Sequence, residues 1–280
     1  MRINAAEEHV LDFRGKERYN RSYRIYFGNT FFVEVLPVMI VIRKRDLLLV
    51  TLCCLVFVCA SCCILRDFDP ETASTFALES GSPVTVVVDA GHGGEDGGAV
   101  SRDGAEESHL NLAVALRLDA LLRFSGTQTV LTRREDISIC DEGLDTIRKR
   151  KASDLQNRVK LVNETENSVL ISIHQNSLPS SPVTHGAQVF WNTQPGAQEL
   201  AASIQDVLNT SVNSGNEKKP KSIPQSIYLT KHAQAPSVVV ECGFLSNSDE
   251  AARLQQPLYQ TRLALSVAAG YIRCLKGESI

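Results

Sequence analysis

The sequence predicts an α/β fold: a single domain with a mostly parallel, twisted sheet of about six strands flanked by helices, preceded by an N-terminal membrane anchor. From Val84 onward, strand-like and helix-like segments alternate, which is typical of parallel sheets. Several of the strand-like segments are continuous apolar runs, as expected for strands that helices cover on both faces. A long uncharged segment before Val84 predicts the anchor.

The first half of the predicted domain contains two strands and one helix. "VTVVV" (84–88) is a β-branched run and predicts a buried strand. "EESHLNLAVALRLDALLRF" (106–124) carries an apolar stripe at helical spacing and predicts a helix. "TQTVLTR" (127–133) predicts the second strand. The segment 134–152 is a charged insertion with no clear period.

The second half continues the alternation. "SDLQNRVKLVNET" (153–165) predicts a helix with Ser153 as its N-cap. The remaining predicted elements are strands at 168–174 and 186–191, a helix near 196–212, strands at 226–230 and 237–241, and a C-terminal helix from about Pro257. The sequence contains no internal repeat and no low-complexity tract.

Length and composition are those of a globular domain with an additional apolar segment. The chain has 280 residues, of which 43% are hydrophobic, and a net charge of −3. A chain of this length can bury a sizeable core. The near-neutral charge excludes a basic nucleic-acid binder and an acidic tail protein.

The additional apolar segment is "LLLVTLCCLVFVCASCCIL" (47–65), which carries no charge. A helix of this length crosses a hydrocarbon layer at about 1.5 Å per residue. "RKR" (43–45) precedes it, so the positive-inside rule keeps the N-terminal side in the cytoplasm and exports everything after Arg66. A cleaved signal peptide and a buried core helix are the alternatives, and an uncleaved anchor is preferred.

Four regions follow from this interpretation. Residues 1–46 form an N-terminal cytoplasmic segment, of which 1–38 is either a mis-assigned start or a short tail, because "MIVIRKRD" from Met39 resembles an ordinary start. Residues 47–65 are the transmembrane anchor or signal segment. Residues 66–83 are polar and suit a linker, and 84–275 form the exported α/β domain.

The cysteines point to no disulfide framework. Five of the eight lie in the apolar run, where they act as small hydrophobic residues. The three others, Cys140, Cys242 and Cys274, are scattered and lack C-x-x-C spacing. The exported part therefore has neither a disulfide scaffold nor a thiolate zinc site.

The glycine-rich turn "GHGGEDGG" (91–98) follows the first strand and raises the question of a phosphate loop. It lacks the lysine of a P-loop, and its glycines do not have the Rossmann spacing. Glu95 and Asp96 would also repel a pyrophosphate. The turn therefore predicts room around His92 rather than a nucleotide site.

Ionisable residues lie at the carboxyl ends of the predicted strands. Parallel sheets have their binding and active sites at this edge. His92 follows the first strand, His174 ends "LISIH", and either Glu106 or Glu107 opens the helix after the first strand. Two imidazoles and a carboxylate suit a catalytic zinc ion. Glu241 ends "SVVVE", and a carboxylate beside a zinc site can act as a general base.

Each of these residues also has a structural interpretation. A histidine at a strand end is more often a hydrogen-bonded structural residue than a metal ligand. Glu106 and Glu107 suit a helix N-terminus because of the helix dipole. Glu241 is harder to explain structurally, because a charge after an apolar strand needs a reason. The prediction of a metal site rests on the position of all these residues at the same edge of one sheet.

Five ordered motifs, "VVVDAGHGGEDGGAV", "EESHLNLAVAL", "VLTR", "LISIHQN" and "VVVECGFLSN", resemble those of the zinc-dependent N-acetylmuramoyl-L-alanine amidases. The resemblance covers roughly residues 84–275. It implies that His92, Glu107 and His174 bind one Zn²⁺ per chain, and that Glu241 is catalytic. Glu107 is preferred to Glu106 because the family's ligand lies four residues before an Asn-Leu pair, here Asn111-Leu112.

The sequence departs from the family pattern after Glu107, where Ser108-His109 replaces the common Lys-Asp. His109 is therefore a competing ligand, although its spacing from Glu107 should turn it away from the site. Asn176 and Arg133 are candidate substrate-binding residues, with fold anchoring as the alternative for Arg133. Cys242 is interpreted as buried and inert.

The basic helix and the insertion before it give a narrower resemblance, to the spore-cortex amidases of endospore formers. This resemblance implies hydrolysis of the amide between N-acetylmuramic acid and L-alanine in peptidoglycan, in cortex formation (muramic-δ-lactam synthesis) and hence germination. It also implies a membrane-anchored protein whose catalytic domain lies in the cell envelope, or in the space between forespore and mother cell.

The predicted partners are peptidoglycan and the membrane, and nucleic acid is not among them. A three-ligand site with one carboxylate is expected to have modest metal affinity. An accessory activating protein is therefore also a predicted partner. Two alternatives remain. A catalytically silent peptidoglycan-binding or scaffold domain should lack a ligand or the base, and a zinc peptidase should carry an H-E-x-x-H helix, which this sequence lacks.

Overall fold

The computed structural model describes residues 2–11, 17–27, 31–35, 83–224 and 226–277. The chain divides into two compact units, Met1–Asp69 and Pro70–Ile280. The first unit contains three antiparallel strands, which the sequence analysis did not predict: β1 (Arg2–Leu11), β2 (Glu17–Phe27) and β3 (Phe31–Val35).

The predicted anchor at 47–65 and nearly all of the linker at 66–83 lie outside the described residues. Within the described part of the chain, no helix has both the length and the apolar character needed to cross a bilayer. Anchor, linker and the predicted N-terminal segment therefore stay predictions.

The second unit is built on a sheet of six strands with helices on both faces. Its strands are β4 (Thr85–Ala90), β5 (Gln128–Leu131), β6 (Ser168–Asn176), β7 (Gln188–Trp191), β8 (Lys221–Ser222) and β9 (Ser237–Phe244). Its helices are α1 (Glu107–Phe124), α2 (Ile147–Glu164), α3 (Ala197–Ser211), α4 (Tyr228–His232), α5 (Ser248–Leu254) and α6 (Pro257–Leu275). The spatial order of the strands is β5-β4-β6-β9-β7-β8.

Burial on both faces explains the apolar runs. Along β4, Val86 and Val88 belong to the larger core, which α1, α3 and α6 cover, while Val87 belongs to a smaller cluster with residues of α2 and α4. This alternation is the period-two geometry of a strand. The α/β class, the six strands and the flanking helices of the prediction are thus confirmed.

The prediction of a mostly parallel sheet is wrong, because the sheet is mixed. The neighbours β5, β4, β6 and β9 are parallel, but β7 runs antiparallel to β9, and β8 is parallel to β7. Strand direction depends on which neighbours pair. The hydrophobic pattern of a strand does not indicate its direction. Sheets with a parallel centre and an antiparallel edge are common.

Two predicted elements differ in the structure. Helix α2 begins at Ile147, six residues before the predicted start, and its N-cap is Thr146, whose hydroxyl accepts from the Lys149 amide at 3.3 Å. Ser153 lies inside this helix, where its hydroxyl accepts from the Asp141 amide and donates to the Asp141 carboxylate, both at 2.9 Å. The last residues of the charged insertion thus belong to α2, and Asp141 in the insertion is hydrogen-bonded to this helix.

The predicted strand at 226–230 is instead the short helix α4. Its Leu229 is buried in the smaller core cluster against residues of α2, so packing overrides the strand propensity of this segment. Helix α5 was also not predicted from the sequence. The Asn247 side chain caps this helix by accepting from the Glu250 amide, and acidic residues follow in its first turn, which is a readable helix start.

Candidate metal centre and active-site cavity

Three side chains converge at the carboxyl ends of β4 and β6. His92 follows β4, Glu107 is the first residue of α1, and His174 lies near the end of β6. His174 Nδ1 lies 2.8 Å from Glu107 Oε1, and His92 Nε2 lies 3.3 Å from Glu107 Oε2. One ligand atom of each residue lies within 4.8 Å of those of the other two, so the three could hold one metal ion.

Parallel pairing explains this convergence. Strand β4 pairs with β6 from Thr85 opposite Ser168 to Ala90 opposite Ile173, so both strands end at the same edge of the sheet. On the far side of β6, β9 pairs with it so that His174 stands opposite Glu241. Residues that are far apart in the sequence therefore lie side by side.

His92 adopts a left-handed backbone conformation, with φ at 61°. This conformation is strained for a residue other than glycine, and such strain persists only where the surroundings hold it. The Arg158 guanidinium donates to the His92 carbonyl at 2.7 Å, and Asp96 Oδ2 lies 2.9 Å from His92 Nδ1. The backbone and the ring of His92 are thus fixed by separate partners.

Two glycines leave the space that the cluster occupies. A Cβ on Gly91 would lie 2.2 Å from His174 Nε2. A Cβ on Gly98, which has a φ of 70°, would lie 2.6 Å from Glu107 Oε2 and 2.8 Å from His92 Cδ2. The glycine-rich turn therefore makes room for His92, as predicted from the sequence, and also for Glu107 and His174.

The structure separates Glu107 from the two competing residues. The Glu107 side chain is 5% exposed and contacts both histidines, whereas Glu106 is 44% exposed. His109 is 59% exposed and pairs with Asp136 at 2.9 Å, away from the cluster. Of these residues, only Glu107 lies in the cluster.

The histidines set the charge state of Glu107. Burial disfavours its carboxylate, but hydrogen bonds from His174 and His92 outweigh burial and hold the pKa of Glu107 well below its usual range. Glu107 also accepts from the amides of Ala99 at 2.9 Å and Gln175 at 3.1 Å. The cluster therefore favours the ionised form of the carboxylate between two imidazoles.

Glu241 has the opposite environment. Burial raises its pKa to about 7, and the positive potential of His174 opposes this rise only in part. Its Oε2 is buried and has no hydrogen-bond partner among the described residues. A carboxyl group with a pKa near neutrality and a free oxygen, beside a candidate metal centre, has the properties of a general base.

A cavity of about 450 Å³ opens onto this edge of the sheet. His92, His174 and Glu241 are among the residues that line it. Its apolar wall consists of lining residues from β7, β9, α2, α4 and the segment before α4: Leu155, Phe190, Ile223, Pro224, Ile227, Tyr228, Leu229 and Val239. The site can therefore accept a substrate that has both polar and apolar parts.

A buried ion pair supports the floor of the cavity. Arg158 Nη1 lies 2.5 Å from Asp89 Oδ1, and its Nε lies 2.6 Å from Asp154 Oδ2. Burial disfavours the Asp89 carboxylate, but Arg158, Ser172, His174 and Thr132 together outweigh burial, so the pKa of Asp89 is lowered. Ser172 donates a hydrogen bond to the same carboxylate at 2.5 Å. Arg158 thus joins α2 to β4 and to the His92 loop.

We expect Arg158→Met to lower the free energy of unfolding by about 3–5 kcal/mol, because it leaves the buried Asp89 carboxylate without its counterion. Urea denaturation measures this loss. Lys149→Met is the matched control on the same helix, since Lys149 and its partner Asp145 are both exposed, and it should change stability little. Equal effects of the two substitutions would contradict the structural role of Arg158.

The structure gives Arg133 an anchoring position. Its side chain is fully buried and donates to the carbonyl oxygens of Ala90, Gly91, Ser108 and Glu135, at 2.8–3.1 Å. These contacts favour the alternative that Arg133 anchors the fold over the prediction that it binds substrate, because they hold its guanidinium on the backbone below the site.

Asn176 and Cys242 also lie away from the cavity. Asn176 Oδ1 accepts from the Ser177 amide at 2.8 Å, and Asn176 does not line the cavity in the described structure. Its substrate role therefore has no support from the geometry. Cys242 is fully buried in the larger core, and burial raises the pKa of its thiol, in agreement with an inert residue.

Most of the second unit resembles proteins of a known sequence family. Residues 86–273 match the sequence family described as N-acetylmuramoyl-L-alanine amidase. The germination-specific N-acetylmuramoyl-L-alanine amidase of Bacillus subtilis (strain 168) is 36% identical over 188 residues, covering 67% of this chain and 78% of that protein.

Two solved structures are also similar. The CwlD amidase from Clostridioides difficile, in complex with the GerS lipoprotein, has a TM-score of 0.66 and 34% identity, and the match covers 69% of this chain and 99% of that chain. The catalytic domain of CwlV, an amidase from Bacillus (Paenibacillus) polymyxa var. colistinus, has a TM-score of 0.54 and 27% identity, with coverage of 69% and 97%.

Proposed function

Because the chain belongs to the family of N-acetylmuramoyl-L-alanine amidases, which cleave the amide between N-acetylmuramic acid and L-alanine in peptidoglycan, we propose that it does so as a zinc enzyme. His92, Glu107 and His174 would hold the ion. The single observation that carries this proposal is their convergence within 4.8 Å beside the buried, unpartnered oxygen of Glu241.

The donor set fits zinc. Two imidazoles and one carboxylate are a common protein ligand set of catalytic zinc, which keeps a further position open for water or substrate. The cavity that His92 and His174 line leaves room for such a position. The ionised state of Glu107 and the contact of Asp96 with His92 Nδ1 are the arrangement expected around a bound cation.

Different residues of the chain have different roles in the proposed hydrolysis. A zinc ion in this site supplies Lewis-acid chemistry to the amide carbonyl and to the attacking water. Glu241 accepts the proton that the water loses as its oxygen bonds to the carbonyl carbon, and then delivers that proton to the nitrogen of L-alanine as the amide breaks. The apolar wall of the cavity excludes bulk water and orients the substrate.

We propose a role in forming the spore cortex, and hence in germination. The support is the resemblance to the germination-specific amidase and to CwlD. CwlD was solved with a lipoprotein, GerS, and we propose that this chain also works with an accessory protein. We further propose that 47–65 anchors the catalytic domain to the membrane on its exported side.

Digestion of purified peptidoglycan with the full chain tests the proposed reaction. We expect mass spectrometry to show intact stem peptides that begin with L-alanine, together with glycan strands that carry free lactyl carboxylates. A peptidase would leave alanine on the sugar, and a binding domain would release nothing. Either of these outcomes would contradict the amidase reaction.

A further inference from the structure

We propose that Asp96 is a positioning residue that fixes the ring of His92 in the orientation and tautomer required for metal binding. This inference rests on the proposed zinc site and names a residue of the chain that acts on that site through one of its ligands. In the sequence, Asp96 is only a charge that argues against a phosphate loop.

The loop itself brings Asp96 to His92. The Gly93 amide donates to the Asp96 carbonyl at 2.9 Å, and the Asp96 amide donates to the Gly93 carbonyl at 3.3 Å, which closes a tight turn. This turn places Asp96 Oδ2 at 2.9 Å from His92 Nδ1. Asp96 is therefore a local partner, held by the backbone rather than by a flexible side chain alone.

The contact decides which ring nitrogen can bind a cation. A carboxylate accepts hydrogen bonds and cannot donate them, so it favours the tautomer of His92 that carries a proton on Nδ1. Nε2, which faces Glu107 Oε2 at 3.3 Å, is then the ring nitrogen that gives up its proton to bind a metal ion. Carboxylate partners of this kind orient metal-binding histidines in other proteins.

A lysine from a distant element holds the carboxylate in place. Lys151 in α2 lies with its Nζ 3.0 Å from Asp96 Oδ2, the same oxygen that contacts His92. Lys151 is half exposed and lines the cavity together with Asp96. The orientation of His92 is therefore tied to α2 through Asp96.

The neighbouring residue offers a matched control. Glu95 also bridges the glycine-rich loop to α2, through an ion pair with Arg150, whose Nη2 lies 2.7 Å from Glu95 Oε2. Glu95 has no described contact with His92, Glu107 or His174. Removing Glu95 tests the anchoring of the loop, and removing Asp96 tests the contact with the ring as well.

The experiment compares zinc affinity in the full chain and in Asp96→Ala, Asp96→Asn and Glu95→Ala, by titration against a chromophoric zinc chelator. We expect Asp96→Ala to raise the zinc Kd about 10- to 100-fold. Asp96→Asn should recover part of this loss, because its amide oxygen still accepts from Nδ1–H. Glu95→Ala should bind zinc as the wild type does.

Nitrogen-15 NMR of the His92 ring in the zinc-loaded protein gives a second readout, independent of activity. We expect a proton on Nδ1 in the wild type and in Glu95→Ala, and a weakened or exchange-broadened Nδ1–H signal in Asp96→Ala. Thermal denaturation of each variant without zinc checks that the fold is retained.

Unchanged zinc affinity in Asp96→Ala would overturn the inference, and so would equal losses in Asp96→Ala and Glu95→Ala, since loop anchoring would then explain both. A wild type that binds no zinc would overturn the proposed zinc centre itself. A wild type that binds zinc, with Asp96→Ala unaffected, would leave that centre intact and remove only the role of Asp96.

Discussion

Glu241→Gln is expected to lower the kcat of amide hydrolysis about 10²- to 10⁴-fold, the range that loss of a general base produces. Glutamine has nearly the same shape but cannot accept the proton that the attacking water loses. Because Glu241 is not in the three-residue cluster, zinc content should remain one ion per chain. Release of stem peptides from purified peptidoglycan measures the rate, and metal analysis measures the zinc.

Glu106→Gln is the control for this substitution, because it makes the same chemical change at an exposed carboxyl group beside the site. It should keep the wild-type rate. If Glu241→Gln cleaved peptidoglycan as fast as the wild type, the assignment of Glu241 as the base would be wrong. If it lost zinc as well as activity, Glu241 would be a ligand.

The same variant should also reveal the buried charge of Glu241 in the metal-free protein. The folded state raises its pKa from the ordinary 4.5 to about 7, so ionisation is harder in the folded state than in the unfolded state. This carboxyl group therefore destabilises the fold progressively as the pH rises from about 4.5 to about 7. We expect Glu241→Gln to raise the Tm relative to the wild type at pH 8 by more than at pH 5. A difference independent of pH would contradict this.

Glu107→Ala is expected to weaken zinc binding by more than about 100-fold and to abolish hydrolysis. Loss of a residue that only supports a ligand costs about 10- to 100-fold in affinity, so loss of the ligand itself should cost more. Glu107 is the only carboxylate in the cluster, and it contacts both histidines. Chelator competition and metal analysis measure the loss.

Glu106→Ala is the matched control, one residue earlier in the chain. Glu106 stands at the N-cap of α1 but makes no capping hydrogen bond through its side chain, so its removal should leave the helix intact. We expect wild-type zinc affinity in this variant. If Glu106→Ala lost zinc and Glu107→Ala retained it, the ligand assignment would be reversed.

Much of the architecture could be predicted from local patterns. The apolar runs of β4, β6 and β9 and the stripe of α1 identify elements whose burial is set by the residues themselves. The antiparallel direction of β7 and the helical conformation of α4 could not be predicted. Both depend on packing partners from other parts of the chain.

The site shows the same division. Strand-end positions predicted that His92, His174 and Glu241 lie at one edge of the sheet, and the register of β4, β6 and β9 places them there. Spacing alone left Glu106, Glu107 and His109 as competitors. Their exposed fractions and contacts separate them, because these depend on how α1 packs against the sheet.

The sequence by itself determined the candidate residues of the site, the apolar strands beside them and the glycine-rich turn, because these properties are encoded within a few neighbouring residues. Only the tertiary structure decided that Arg133 binds the Gly91 carbonyl, that Arg158 supports Asp89 and that Lys151 reaches Asp96. The physical reason is distance along the chain. Asp89 and Arg158 lie 69 residues apart, and no local pattern reports a contact that forms only when β4 and α2 pack together.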